Sequence, residues 1–189
     1  MSSQLRADAR TNRDQILVAA QAVFREQGVD VPMKAIADRA GVGVGTLYRR
    51  FPDRAALIGA VGYEYLADLA DLADTARREA VGAWPALCRL LRECAELRLG
   101  ALASALGPTL NAGGDPTLTQ VRARVADRVV ALTAQAHADG DLRPDVTAQD
   151  VAHLMTLQIY VRSDQPYGEA VQRTMDIVLN GLRARREAE

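Results

Sequence analysis

The sequence predicts an all-α chain, and three observations carry that expectation. Apolar residues recur at three- and four-residue spacing through most of the 189 residues, the period of amphipathic helices rather than the alternation of strands. Ala, Leu and Arg dominate while aromatics make up only 4%, so helix formers abound and strand-favouring rings are scarce. Glycines and prolines fall where the apolar stripes stop, as helix ends require.

Taken in order, residues 1–10 are polar and predict a loose terminus whose Arg6 and Arg10 are either a short basic arm or frayed chain. A first helix is expected from Thr11 to Gln27, capped by Thr11 or Asn12. Ile16, Ala20, Val23, Phe24 and Gln27 mark its inner face, and Gly28 closes it. Arg13, near its start, suits an anionic partner or open solvent.

The next stretch, Val31 to Phe51, reads as two short helices about a glycine turn. Met33, Ile36, Ala37 and Ala40 stand at i, i+3, i+4 and i+7, one face of a helix. Pro32 suits a first helical position, and Gly41 suits the left-handed residue past a helix end. Beyond Val42, Leu47 and Phe51 form an inward i, i+4 pair. Gly45, Thr46 and Arg49 lie opposite, with Tyr48 and Arg50 on the flanks. A small, hydroxyl-bearing and basic face backed by an apolar seam fits a helix laid in a DNA major groove. This pattern is a helix-turn-helix.

Pro52 breaks that helix, and Asp53 is placed to cap the next. Leu57, Ile58, Val61, Tyr65, Leu66, Leu69 and Leu72 then carry an apolar stripe to about Arg77. One long helix is expected from Trp84 to Ala105, with Pro85 in its first turn. Gly107 to Pro116 is the richest loop signal. Further helices are expected over Thr117–Ala138, ended by Gly140, over Ala148–Val161, capped by Thr147, and over Gly168–Arg185.

The net charge is −1, but residues 1–56 hold nine Arg and Lys against six Asp and Glu, leaving +3 there and −4 on the remainder. That asymmetry fits a basic reading head on an acidic body. Lys34 is the only lysine, so arginine supplies the basic surface. Cys88 and Cys94 match no metal spacing and read as buried thiols, and His137 and His153 have no accompanying ligands, so no metal site is expected. No run approaches the length of a membrane span, and the amino terminus lacks a secretory core; a cytoplasmic protein without membrane contact is expected. Nucleophile-elbow, phosphate-loop and HExxH motifs are absent, which disfavours an enzyme and leaves no cofactor to expect.

Ile36, Ala37, Ala40, Gly41, Val42, Gly45, Thr46, Leu47, Tyr48, Phe51 and Leu57 resemble the DNA-binding signature of TetR-type transcriptional regulators. Arg13, Ile16, Leu17, Ala19, Ala20, Phe24 and Gly28 precede them in register. The chain departs from the pattern in two places. Pro32 and Met33 stand where the family usually has a Thr/Ser pair, and Gly43 stands where it has a capping Ser; each removes a hydroxyl that could hold a phosphate.

The resemblance implies a three-helix DNA-binding domain over residues 1–56 and a helical effector-binding and dimerisation domain over residues 57–189. It implies a homodimeric repressor that binds a palindromic double-stranded operator and is released by a small-molecule effector. An activator, or an enzyme or small-molecule carrier behind a DNA-like head, are the alternatives. Base contacts are expected from Lys34, Val44 and Thr46, close backbone approach at Gly45, and phosphate contacts from Tyr48, Arg49, Arg50 and Arg54. Packing of the Tyr48 ring against the first helix is the competing reading. Trp84, Cys88, Leu91 and Met155 are candidate effector contacts or plain core. Leu154, Val171, Met175, Val178, Leu179 and Leu182 are candidates for the dimer interface, although their apolar faces suit a monomer core equally.

Overall fold

The computed structural model describes residues 2–78, 82–111, 116–162 and 164–184. Within them the chain forms nine helices and no named strand: α1 (Ser2–Gln27), α2 (Met33–Ala40), α3 (Val44–Arg50), α4 (Arg54–Arg78), α5 (Ala83–Glu96), α6 (Leu99–Asn111), α7 (Pro116–Ala138), α8 (Ala148–Met155) and α9 (Tyr167–Leu182). The all-α expectation holds.

α1 begins at Ser2, far ahead of the expected Thr11. The intervening Gln, Leu, Arg and Ala residues are helix formers with no Gly or Pro among them to stop a turn. Ile16, Ala20, Val23 and Phe24 are buried as the periodicity requires, but Gln27 is exposed. Gly28 ends the helix at φ 87°. Met33, Ile36 and Ala37 of α2 pack beneath α1, with Leu47 of α3 and Phe51. Arg39 donates to Glu26 at 3.0 Å and ties α2 to α1. Tyr65 of α4 donates to the Gln21 carbonyl at 3.1 Å, and burial pushes its hydroxyl pKa up to about 12.

The head is not sealed off at residue 56. Its core continues through Leu57, Ile58, Val61 and Tyr65 to Leu97, Leu102, Leu118 and Val121. A second cluster fills the body, from Leu69 and Trp84 through Leu91 and Val129 to Met175. On the α4–α7 face, Arg128 pairs with Asp74 at 2.6 Å and Arg124 lies 3.5 Å from Asp71.

Three expectations for the body fail, each for a local reason. The long helix predicted over Trp84–Ala105 is broken between α5 and α6, where Arg98 adopts φ 52°. Such a conformation costs a non-glycine residue about 1–2 kcal/mol. Arg98 offsets it by donating Nε to the Arg25 carbonyl at 3.1 Å and stacking 3.7 Å over the Tyr167 ring. The apolar period hid the break, because Leu97, Leu99 and Leu102 are buried on both sides of it. The loop predicted from Gly107 begins late, since α6 runs to Asn111; residues 112–115 lie outside the described residues. α8 stops at Met155 rather than Val161. Here Thr156 crosses α6 so closely that a Cβ on Gly100 would sit 2.3 Å from the Thr156 carbonyl oxygen. Gln158 then donates to the Gly100 carbonyl at 3.2 Å and to Ser104 Oγ at 2.9 Å.

Thr147 caps α8 as expected, in a reciprocal box with Asp150. The hydroxyl and backbone N–H of Thr147 hold the Asp150 carboxyl below the usual carboxylate range. The Asp141–Arg143 loop grips the far end of α9: Arg143 donates its backbone N–H to the Leu182 carbonyl and its side chain to the Gly181 carbonyl, each at 3.0 Å. A cation on the unsatisfied carbonyls of a helix end is favoured there.

Candidate nucleic-acid interface

The reading helix owes its presentation to two glycines. Gly41, at φ 68°, takes the left-handed conformation that closes α2. The Val42 N–H then reaches the Ala37 carbonyl at 3.1 Å, the six-to-one bond of a Schellman turn. Gly43 stands at the N-cap of α3 in extended backbone without a side-chain cap bond. Of the seven residues of α3, only Leu47 is buried. Gly45, Tyr48, Arg49 and Arg50 are exposed and Thr46 is half-buried. The helix is therefore pinned chiefly by Leu47, and its exposed residues are free to meet a partner.

Tyr48 is 46% exposed and is not one of the buried residues of the head core. Arg49 donates to Thr46 Oγ1 at 2.9 Å, aligning a guanidinium and a hydroxyl on one surface. Val44 is half-buried against the head core, which limits what it can offer outward. Lys34 binds Asp38 at 2.7 Å, but with the two side chains 73% and 61% exposed this pair contributes about 0–1 kcal/mol and yields readily to a stronger acceptor. Arg13 leans on the Phe51 ring at 5.7 Å.

Arg54 is the correction in this region. Expected to clamp a DNA phosphate, it instead turns inward, with Nη1 donating to the Val29 carbonyl at 2.6 Å and Nη2 to the Val31 carbonyl. Both acceptors lie in the α1–α2 connection, whose carbonyls no helix satisfies. Asp53 caps α4 as expected, accepting from the Ala56 N–H at 2.7 Å.

Residues 16–61 match the model for bacterial regulatory proteins of the tetR family. Residues 78–184 match that for the C-terminal domain of SbtR-like transcriptional regulators, and this second match covers more than half the chain. The chain belongs to the TetR family. A TetR transcription regulatory protein from Mycobacterium vanbaalenii is 31% identical, aligned over 95% of this chain and 99% of its own, with a TM-score of 0.61. The TetR regulator SCO0520 from Streptomyces coelicolor is 34% identical, over 92% and 99%, with a TM-score of 0.60. The Staphylococcus aureus HTH-type transcriptional regulator SAUSA300_2515 is 44% identical over 54 residues, 28% of this chain and 29% of that regulator's length. As a member of the TetR family, the protein is a DNA-binding transcriptional regulator, and not an enzyme.

In this TetR-family regulator the body holds an open cavity of about 250 Å³ between α4, α6, α7 and α8, with Arg122, Ala126, Val130, Gln149, Ala152 and Thr156 exposed at its rim. Leu66, Leu99, Val125, Val129 and Met155 form much of its apolar wall, and Arg122, Gln149 and Thr156 are its polar members. Of the expected effector contacts, only Met155 lies on this wall. Trp84 and Leu91 belong to the body core with Cys88 packed against it. Cys94 is buried as expected but Cys88 is half-buried; burial raises the pKa of both thiols, that of Cys94 to about 12.

The proposed dimer residues divide. Val171, Met175 and Leu179 are buried in the chain's own core, because α9 packs that face on α5. Leu154, Val178 and Leu182 are half-buried. Ile177, which the sequence reading missed, lies outward at 66% exposed, and Tyr160, expected on the apolar face of the preceding helix, is 90% exposed. The signal for Ile177 was present, since it interrupts the polar face of α9. Arg98 gave none, because an arginine does not announce a left-handed turn. Among the described residues no helix is long and apolar enough to cross a membrane, and no cluster of three or more His, Cys, Asp or Glu could hold a metal.

Proposed function

We propose that the protein is a homodimeric repressor that grips a palindromic operator with α3 and lets go when a small molecule fills the body cavity. The observation that carries this reading is the surface of α3, where a single buried leucine leaves Gly45, Thr46, Tyr48, Arg49 and Arg50 for DNA. Gly45 lets the helix backbone approach the base edges, Lys34 and Thr46 read them, and Tyr48, Arg49 and Arg50 hold phosphates. Residues 1–56 act as the reading head and residues 57–189 as the effector-binding and dimerising body. The outward faces of α8 and α9, with Leu154, Val178, Leu182 and Ile177, meet their copies across a two-fold axis.

Release follows from the break between α5 and α6. Leu99 lines the cavity, and its neighbour Arg98 holds the Arg25 carbonyl at the end of α1. A ligand that moves Leu99 pulls on the head through one residue. Coupling of about 1–3 kcal/mol, the usual range, weakens operator binding roughly 5- to 150-fold.

Selection of duplexes from a random pool with the purified protein tests the reading, and a two-fold symmetric site should emerge. On that site Lys34→Ala should cost about 1–3 kcal/mol and relax preference at one base pair per half-site. Enrichment of asymmetric sites, or a monomer by light scattering at micromolar concentration, refutes the dimeric repressor.

A further inference from the structure

We infer that the body cavity takes a small aliphatic carboxylate, an inference that rests on the effector reading above and gives it a chemical class. The wall decides the ligand's body. Leu66, Leu99, Val125, Val129 and Met155 are aliphatic, and neither an aromatic ring nor a carboxylate lines the cavity. An organic cation would find no counter-charge and no π-face there. A planar aromatic ligand would find nothing to stack on. At about 250 Å³ the cavity lies just below the roughly 300–1,000 Å³ of sites for drug-sized ligands, so the occupant is short.

Arg122 decides the head group. It is the sole charged residue of the lining, and it pairs with no acid among the described residues. Its neighbours on α7 differ: Arg128 is held by Asp74 and Arg124 reaches Asp71 and Asp74. Asp71 and Asp74 of α4 are therefore engaged by two arginines, while Arg122, exposed at the edge of the cavity, has no acid partner among the described residues. Thr156 already donates its hydroxyl to the His153 carbonyl at 3.1 Å, and the Gln149 amide nitrogen meets His153 Nε2 at 3.0 Å. Arg122 is left as the group with free donors, and a guanidinium matches a carboxylate through two parallel hydrogen bonds.

The test measures binding by calorimetry on the full chain without DNA, using straight-chain acids from butanoate to decanoate and the amines and alcohols of equal length. The acids should bind, the alcohols more weakly, and the amines not at all. Arg122→Gln should weaken the best acid about 10- to 100-fold, the loss of a charged hydrogen-bonding partner. Ala126→Trp, placed on an exposed position of the lining, should abolish binding while leaving the melting temperature near that of the wild type. Amines that bind as tightly as acids, an Arg122→Gln variant of unchanged affinity, or no acid binding at millimolar concentration overturns the inference. Operator affinity is then measured separately. An acid that binds the cavity yet leaves DNA affinity unchanged supports the ligand class and removes the effector reading instead.

Discussion

Gly45→Ala should move stability and DNA affinity in opposite directions, which separates the fold of α3 from its use. Gly45 is exposed and helical, and a Cβ built there meets no atom within 4 Å. Nothing in the protein resists the methyl, so the variant gains the helix preference of alanine over glycine, about 0.5–1 kcal/mol. For a chain of this size that raises the melting temperature by about 1–4 °C. On DNA the same methyl stands between the helix backbone and the base edges. A steric fault there costs about as much as one mismatched base pair, roughly 1–3 kcal/mol, or about a 5- to 150-fold loss of affinity per half-site. Scanning calorimetry gives the first quantity, and fluorescence anisotropy on a selected duplex gives the second. Gly41→Ala is the control for sign: it too meets no atom within 4 Å, but its φ of 68° should make alanine destabilising by about 1–2 kcal/mol. A Gly45→Ala variant that is stabilised and binds its duplex undiminished would show that this face of α3 does not approach DNA.

Other substitutions probe the joints of the molecule. Arg54→Ala should lower the stability measured by denaturant unfolding by about 1.5–3 kcal/mol, for the lost charged hydrogen bonds to Val29 and Val31, and leave the salt slope of DNA binding unchanged. A slope reduced by about one with stability intact would restore Arg54 as a phosphate contact. Gly100→Ala should cost about 1–3 kcal/mol, since its methyl would collide with the Thr156 carbonyl, and hydrogen exchange should quicken around Thr156–Gln158; a neutral variant would disprove that crossing. Thr133 is 3% exposed with an unpartnered hydroxyl, so Thr133→Val should raise stability by about 1 kcal/mol. A loss of that size would mean that the hydroxyl is bonded.

Legibility in the sequence followed the range of the interactions. Gly28, Gly41 and Gly140 ended helices as read, because a left-handed turn is a local demand that glycine meets alone. Asp53 and Thr147 capped helices for the same reason. What went unread depended on partners distant in the chain. Arg54 looked like a DNA contact because its side chain is basic and stands at a helix start. Only the folded α1–α2 connection supplies the carbonyls that turn it inward. Arg98 is further from legibility still, since its unfavourable backbone is offset by Arg25 and Tyr167, each about seventy residues away. Helical period likewise marked Val171, Met175 and Leu179 as apolar without saying whether α5 or a second subunit would cover them.

The core that runs unbroken from α1 into α6 and α7 bears on modularity. Leu57, Ile58, Val61 and Tyr65 belong to α4, yet they pack with Ile16, Phe24 and Leu47. A chain cut after residue 56 would leave those three beside an open apolar wound. Recombining this reader with another sensor therefore needs a graft that carries the first half of α4, together with matching side chains at Leu97, Leu102, Leu118 and Val121. For the same reason heat should melt the protein in one transition rather than two, with reader and sensor failing together.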